Sequence, residues 1–177
     1  MIKAIFLAAG QSKRIKYENK LVKKYKKTPL INHSLKVLHK SKVNKVIIVL
    51  GHQHTKVKKI IFKNKKNIFI YNKDYKKGMA SSIKVGLKKI ARNDKGFIVV
   101  QSDMPFIKVS DINKIYNSIK LKKFLVYVLK FKNKIGNPIG FDISLTKRFK
   151  KLKGEYGAKF MVKRLKNKTN FIKVNSS

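Results

Sequence analysis

Seven acidic side chains stand against 46 Lys+Arg in this chain of 177 residues, so each carboxylate is a selective placement. Asp103 lies in "VVQSDMPF", directly after an apolar run. A carboxylate at the carboxyl end of a buried strand offers the hard oxygen that suits Mg²⁺, which is held by one or two carboxylates plus phosphate oxygens. The alternative is a helix cap or turn former, and Pro105 favours a turn in either case. The opposite charge gathers at "LAAGQSKR", residues 7–14, where an apolar run exits through two alanines and Gly10 into Lys13 and Arg14, with Lys20 beyond. A small-residue turn lets backbone N–H groups approach an anion, and the cations that follow fit a polyanion. An ordinary strand-to-helix turn with solvated lysines would read the same way. The loop is neither G-x-G-x-x-G, because Gly10 is its one glycine, nor a G-x-x-x-x-G-K-[ST] loop.

A third stretch, "NKDYKKGMASSIKVGLKK" (72–89), sets Gly78, Ser81 and Ser82 at the start of an amphipathic helix. One of the serines is expected to cap that helix. The same N-terminus, with Gly78 permitting close approach, also suits a phosphate or a base. His33 and His39 lie six apart on a predicted helix, while His52 and His54 alternate. Neither pair has an acidic neighbour in sequence, so surface or core histidine is favoured over a metal site. There is no G-x-S-x-G signature and no cysteine, which removes thiolate metal sites and disulfides and fits a cytoplasmic home.

The elements that must position these residues follow from periodicity. Apolar runs at 2–8, 45–51, 67–72, 96–101 and 124–131 read as strands covered on both faces. Between them, 28–40, 54–62, 81–91 and 110–121 carry helical spacing, with Thr28 as N-cap and Pro29 at the first helical position. Alternating strands and helices predict an α/β domain with a mainly parallel sheet. After Phe131 the rhythm changes to the glycine-flanked "GNPIGF", then "LTKRFKKL", "GEYGAKFMVKRL" and a last apolar "FIKV". No linker separates this part, so residues 1–177 are expected to form one domain. Ligands of open α/β sheets sit beyond the carboxyl ends of the strands, which singles out the loops 8–20, 51–54, 72–82 and 101–106.

The formal net charge of +39 invites a nucleic-acid reading. Arginine, however, occurs only at 14, 92, 148 and 164, and lysine is spread from Lys3 to Lys173. A dedicated nucleic-acid binder gathers its cations on one face and mixes in arginine. A solvated basic surface, the accent of A/T-rich codons, is favoured, and nucleic acid would then bind only nonspecifically at low salt. No run approaches the roughly 20 apolar residues of a membrane span, and neither a signal peptide nor an anchor is read.

Taken in order, "LAAGQSKR…NK", "TPLI", "VIIVLGH", "NKDYKKGMASS", "SDMPF", "GNPIGF" and "GEYGAK" resemble MobA-like nucleotidyltransferases over residues 2 to about 165, with the molybdenum cofactor cytidylyltransferase branch nearest. The resemblance implies a Rossmann-like, three-layer α/β/α domain with a mainly parallel central sheet. It implies an NTP, CTP favoured, over Leu7, Ala8, Ala9 and Gly10, with Gln11, Ser12 and Lys13 completing the loop. Arg14 and Lys20 would engage phosphates, Asp103 would hold Mg²⁺, and Gly78, Met79 and Ser82 would lie by the base. Asn137, Pro138, Gly157 and Lys159 would face a phosphate-bearing acceptor such as molybdopterin. The chain departs from the family pattern at Ser102, where glycine is usual, and at Glu155 and Lys159, where aspartate and arginine are usual. Family members usually continue into an Asp-x-Asp-Thr-Pro-Glu segment, whereas no acid follows Glu155 in this sequence. GTP, or a sugar or polyol phosphate acceptor, would fit the same scaffold. Two other readings differ in class: a basic nucleic-acid-binding protein on this scaffold, and an inactive chaperone for a molybdoenzyme.

Overall fold

The computed structural model describes residues 1–12 and 19–174. Among them, nine strands and six α-helices follow one another as β1 (Ile2–Ala8), β2 (Lys24–Tyr25), β3 (Thr28–Pro29), α1 (Leu30–Lys40), β4 (Lys45–Leu50), α2 (His54–Ile60), β5 (Asn67–Tyr71), α3 (Met79–Leu87), β6 (Gly96–Gln101), α4 (Val109–Leu121), β7 (Val126–Phe131), β8 (Lys134–Asp142), α5 (Thr146–Lys150), α6 (Ala158–Arg164) and β9 (Thr169–Lys173). Seven strands form one sheet in the order β5-β4-β1-β6-β8-β7-β9, and β2 pairs with β3 separately. All the pairings of the large sheet are parallel except those of β8, which runs antiparallel to both β6 and β7.

The three layers follow from the two-residue period of the strands. Ala4, Phe6 and Ala8 of β1, with Val46, Ile48 and Leu50 of β4, turn to the face covered by α1, α2 and α4. Ile5, Ile47 and Val49 turn to the other face, against α3, α5 and α6. On that second face Phe97, Phe141 and Phe149 meet with ring centroids 4.8 to 5.5 Å apart, tying β6, β8 and α5 together. Strands buried on both faces need apolar residues at every position, which is why their sequences run unbroken.

The structure corrects several local expectations. Thr28 does not cap α1: Thr28 and Pro29 pair with β2, and the helix begins at Leu30 with no side-chain cap. Helix α3 starts two residues before the expected Ser81 and ends at Leu87 rather than 91. Neither serine caps it. Met79 N–H donates to Glu155 Oε2 at 3.3 Å and Ala80 N–H to the Gly154 carbonyl at 3.0 Å, so the first two donors of the helix are met by a loop distant in sequence. "GNPIGF", carrying no strand assignment from sequence, lies within β8 near the middle of the sheet. A Cβ at Gly140 would run into the side chains of Ile115 and Ile119, so the glycine that weakens the local strand signal is what allows α4 to sit on the sheet.

Candidate active site

The chain order places a crevice. From β1 it proceeds outward to β4 and β5, then returns to the other side of β1 as β6, so strand order reverses between β1 and β6. Such a switch point leaves a gap beyond the strand ends. A cavity of about 630 Å³ opens there, where Leu7 stands beside Gln101 in the β1–β6 register. Its wall combines the first loop (Ala9, Gly10, Gln11, Ser12), Lys20 and Leu21, then Tyr75, Lys76, Gly78, Met79 and Ser82, and Ser102 and Asp103, together with Glu155. A second cavity of about 580 Å³ shares Asp103 and is walled by Met104, Phe106, Ile107, Leu129, Phe131, Lys134, Asn137, Pro138 and Val174 among others.

Several polar side chains in the crevice are held by identifiable contacts. The turn that carries Asp103 is fastened on both sides: Ser102 Oγ donates to the Leu7 carbonyl at 2.7 Å, and Ser34 Oγ of α1 donates to the Ser102 carbonyl at 3.1 Å. Asp103 is not a helix cap. Asp111 fills that role for α4, accepting the Lys108 N–H at 3.0 Å, while Asp103 Oδ2 receives Lys20 Nζ at 2.5 Å, with both side chains about one-third exposed. Lys20 is in turn held at its backbone, where its N–H donates to Ser12 Oγ at 3.1 Å. The buried Asn19 accepts the Leu21 N–H at 3.1 Å, which fixes the turn leading into Lys20. On the opposite wall, Asn72 Nδ2 donates to the hydroxyls of Ser81 and Ser82 at 2.9 and 3.0 Å, setting the start of α3.

Leu7, Ala9, Gly10, Gln11, Ser12, Lys20, Gly78, Met79, Ser82 and Asp103 thus converge on one cavity. Ala8 does not line it, because its side chain is buried in the core cluster with Phe6 and Leu21. Lys13 and Arg14 lie outside the described residues. The four residues expected at an acceptor separate. Asn137 and Pro138 line the second cavity, and Asn137 Oδ1 is buried with no hydrogen-bond donor among the described residues. Gly157 lines neither cavity and stands against the Met79 side chain, and Lys159 is exposed on α6. The loop 154–157 therefore braces the start of α3 instead of facing Asn137. Sequence reading missed Asn19, Asn72, Tyr75 and Gln101. Gln101 and Asn72 were findable, because each stands at the carboxyl end of a strand; Asn19 is recognisable only once its neighbours in space are known.

The histidines stay out of this site. His39 Nε2–H donates to Asn67 Oδ1 at 2.7 Å; burial holds its pKa below the ordinary value, against the Asn67 bond and with help from Lys66. Among the described residues no three His, Asp or Glu side chains converge to hold a metal, so an ion at Asp103 would need oxygens that a ligand brings.

A family model described as a MobA-like NTP transferase domain matches residues 4–169. The chain belongs to this family. The chain is 29% identical over 140 residues to the bifunctional protein GlmU of Clostridioides difficile, covering 78% of this chain and 29% of that protein. It therefore spans less than a third of the curated relative's length. Its fold superposes on the crystal structure of Rv0371c from Mycobacterium tuberculosis with a TM-score of 0.87 at 19% identity, covering 99% of this chain and 89% of the other. A manganese complex of Rv0371c superposes with a TM-score of 0.82 at 17% identity, covering 99% and 89%. No helix among the described residues is long and apolar enough to cross a membrane.

Proposed function

We propose that this MobA-like protein is a divalent-metal-dependent nucleotidyltransferase that moves NMP from an NTP, CTP favoured, onto a phosphate-bearing acceptor, with molybdopterin the first choice. The observation that carries the reading is the position of Asp103, whose side chain borders both cavities. A nucleotide in the larger cavity and an acceptor in the smaller would meet at that carboxylate. An acceptor phosphate oxygen attacks the α-phosphorus, the bond from α-phosphorus to the bridging oxygen breaks, and the electron pair leaves with pyrophosphate. Such displacement is mainly positioning and charge neutralisation and needs no covalent nucleophile.

One carboxylate beside a cavity with room for phosphate oxygens fits Mg²⁺, as does the manganese bound by Rv0371c. When bound, the ion supplies charge neutralisation for phosphate oxygens, and Asp103 is the residue that would hold it. Lys20, with Arg14, neutralises the departing pyrophosphate. Gly10 leaves space, since a Cβ there would meet nothing within 4 Å. Met79 and Ser82 border the base, and the unpartnered Asn137 Oδ1 supports an acceptor that carries a hydrogen-bond donor.

The test is pyrophosphate release with each NTP, with and without molybdopterin, a sugar phosphate or a polyol phosphate. Asp103→Asn should fold and lose about a hundredfold or more of turnover. Wild-type turnover in that variant would end the assignment. A preference for GTP, or release with a sugar or polyol phosphate alone, would replace the nucleotide or acceptor named here.

A further inference from the structure

The same aspartate that would hold the metal is already occupied. Lys20 Nζ sits 2.5 Å from Asp103 Oδ2, and the backbone of Lys20 is anchored through Ser12 and Asn19, so the ammonium is delivered to that oxygen by a fixed turn. A divalent ion entering without nucleotide meets a carboxylate that is already paired, a positive charge beside it, and no cluster of three His, Asp or Glu ligands among the described residues. A triphosphate changes all three terms. It offers Lys20 an alternative anion, frees the Asp103 oxygen, and supplies the missing oxygens for the metal.

We propose that Lys20 makes metal binding conditional on nucleotide: the ammonium holds the Asp103 carboxylate until a triphosphate draws it away, and metal and nucleotide then bind as a pair. The proposal rests on the reading of the larger cavity as a triphosphate site. In thermodynamic terms the two ligands are positively coupled, and the coupling must be reciprocal. Lysine suits the role because its flexible stem lets one point charge move between two nearby anions, which a planar guanidinium forked onto a carboxylate does less freely.

The experiment is a titration of Mn²⁺ followed by the loss of its free-ion electron paramagnetic resonance signal, on wild type, Lys20→Met and Lys20→Gln, each with and without a non-hydrolysable α,β-methylene CTP. Asp103→Asn in each background confirms that the bound ion is the one at this site. Lys20 is part-exposed, and two variants of different polarity guard against a folding artefact. Without nucleotide, removing the lysine should tighten Mn²⁺ binding about tenfold, through loss of the competing pair and of the repelling charge. The analogue should strengthen Mn²⁺ binding in wild type and do so by a clearly smaller factor in both variants. Equal or weaker Mn²⁺ binding by both nucleotide-free variants would overturn the exchange while leaving nucleotidyl transfer standing. Failure of every NTP analogue to bind the wild type would instead sink the proposed function, and the nucleotide-free arm would still report on the lysine.

Discussion

Ser102 shows how much a single side chain can do in this crevice. Glycine is usual before the aspartate in the family the sequence resembles, yet here the hydroxyl ties the end of β6 to the Leu7 carbonyl at 2.7 Å in a nearly fully buried position. Ser102→Ala should therefore cost about 1 kcal/mol in denaturant unfolding, the worth of a buried hydrogen bond, and should lower turnover by loosening the turn that carries Asp103. Unchanged stability would mean that the contact is incidental. At the far end of the same strands Asp94 is buried beside Lys3, 2.8 Å away, and the N-terminal ammonium. Burial opposes its charge, but the bonds from Lys3 and the Ala91 N–H outweigh it and hold its pKa below the ordinary carboxylate range. The unfolded chain then binds the proton more readily than the folded one. Stability from this pair is complete above the unfolded pKa of about 4 and disappears as pH falls through the lower folded value. Asp94→Asn should destabilise by about 3 kcal/mol near neutrality, by leaving a buried lysine without its counter-charge, and should flatten the acid limb of a pH–stability curve.

Two glycines separate packing from ligand space at the level of elements. Gly78 precedes α3 with φ of +93°, and a Cβ there would strike the backbone of Gly154. Gly78→Ala should therefore cost about 1–3 kcal/mol and unseat the loop 154–157, read as a lower melting temperature together with weaker nucleotide binding. Gly10 meets open cavity instead. Gly10→Ala should leave the melting temperature nearly unchanged and still weaken nucleotide binding several-fold, because the methyl intrudes on the bound molecule. If both variants lost stability alike, the first loop would be packed rather than open. The lysines near helix ends are a further device of this scale. Lys66 Nζ donates to the His39 and Ser41 carbonyls at 3.0 and 2.8 Å, closing the end of α1, and Lys45 donates to the Lys65 carbonyl at 3.0 Å. In a chain with few acids, ammonium groups satisfy carbonyl oxygens instead.

For the molecule as a whole the excess of positive charge sets a measurable condition. Self-repulsion among so many lysines weakens the compact state, and salt screens it over a Debye length of about 10 Å at 0.1 M. The melting temperature should rise as sodium chloride goes from about 0.01 to 0.3 M, and a fall would show that attractive pairs dominate instead. Over the same range nonspecific nucleic-acid binding should collapse with a steep log–log slope, whereas nucleotide-dependent stabilisation with Mg²⁺ should persist. Affinity for duplex or single strands that survives physiological salt, with no NTP-specific stabilisation, would favour the nucleic-acid reading over the enzyme.

The α/β class, the five parallel-sheet runs and the position of Asp103 and the Gly10 loop at strand ends were legible in the sequence. Strands buried on both faces must be apolar throughout, and a rare carboxylate at a strand end stands out against 46 basic residues. Tertiary structure alone decided three things. It placed β8 in the sheet although Gly136, Pro138 and Gly140 weaken its strand signal, because packing of Ile115 and Ile119 overrides propensity. It gave the α3 N-terminus a partner from the 154–155 loop, and it set Lys20 on Asp103 across 83 residues of sequence. Periodicity reports which face a residue buries, and it carries no information about which distant segment will meet that face.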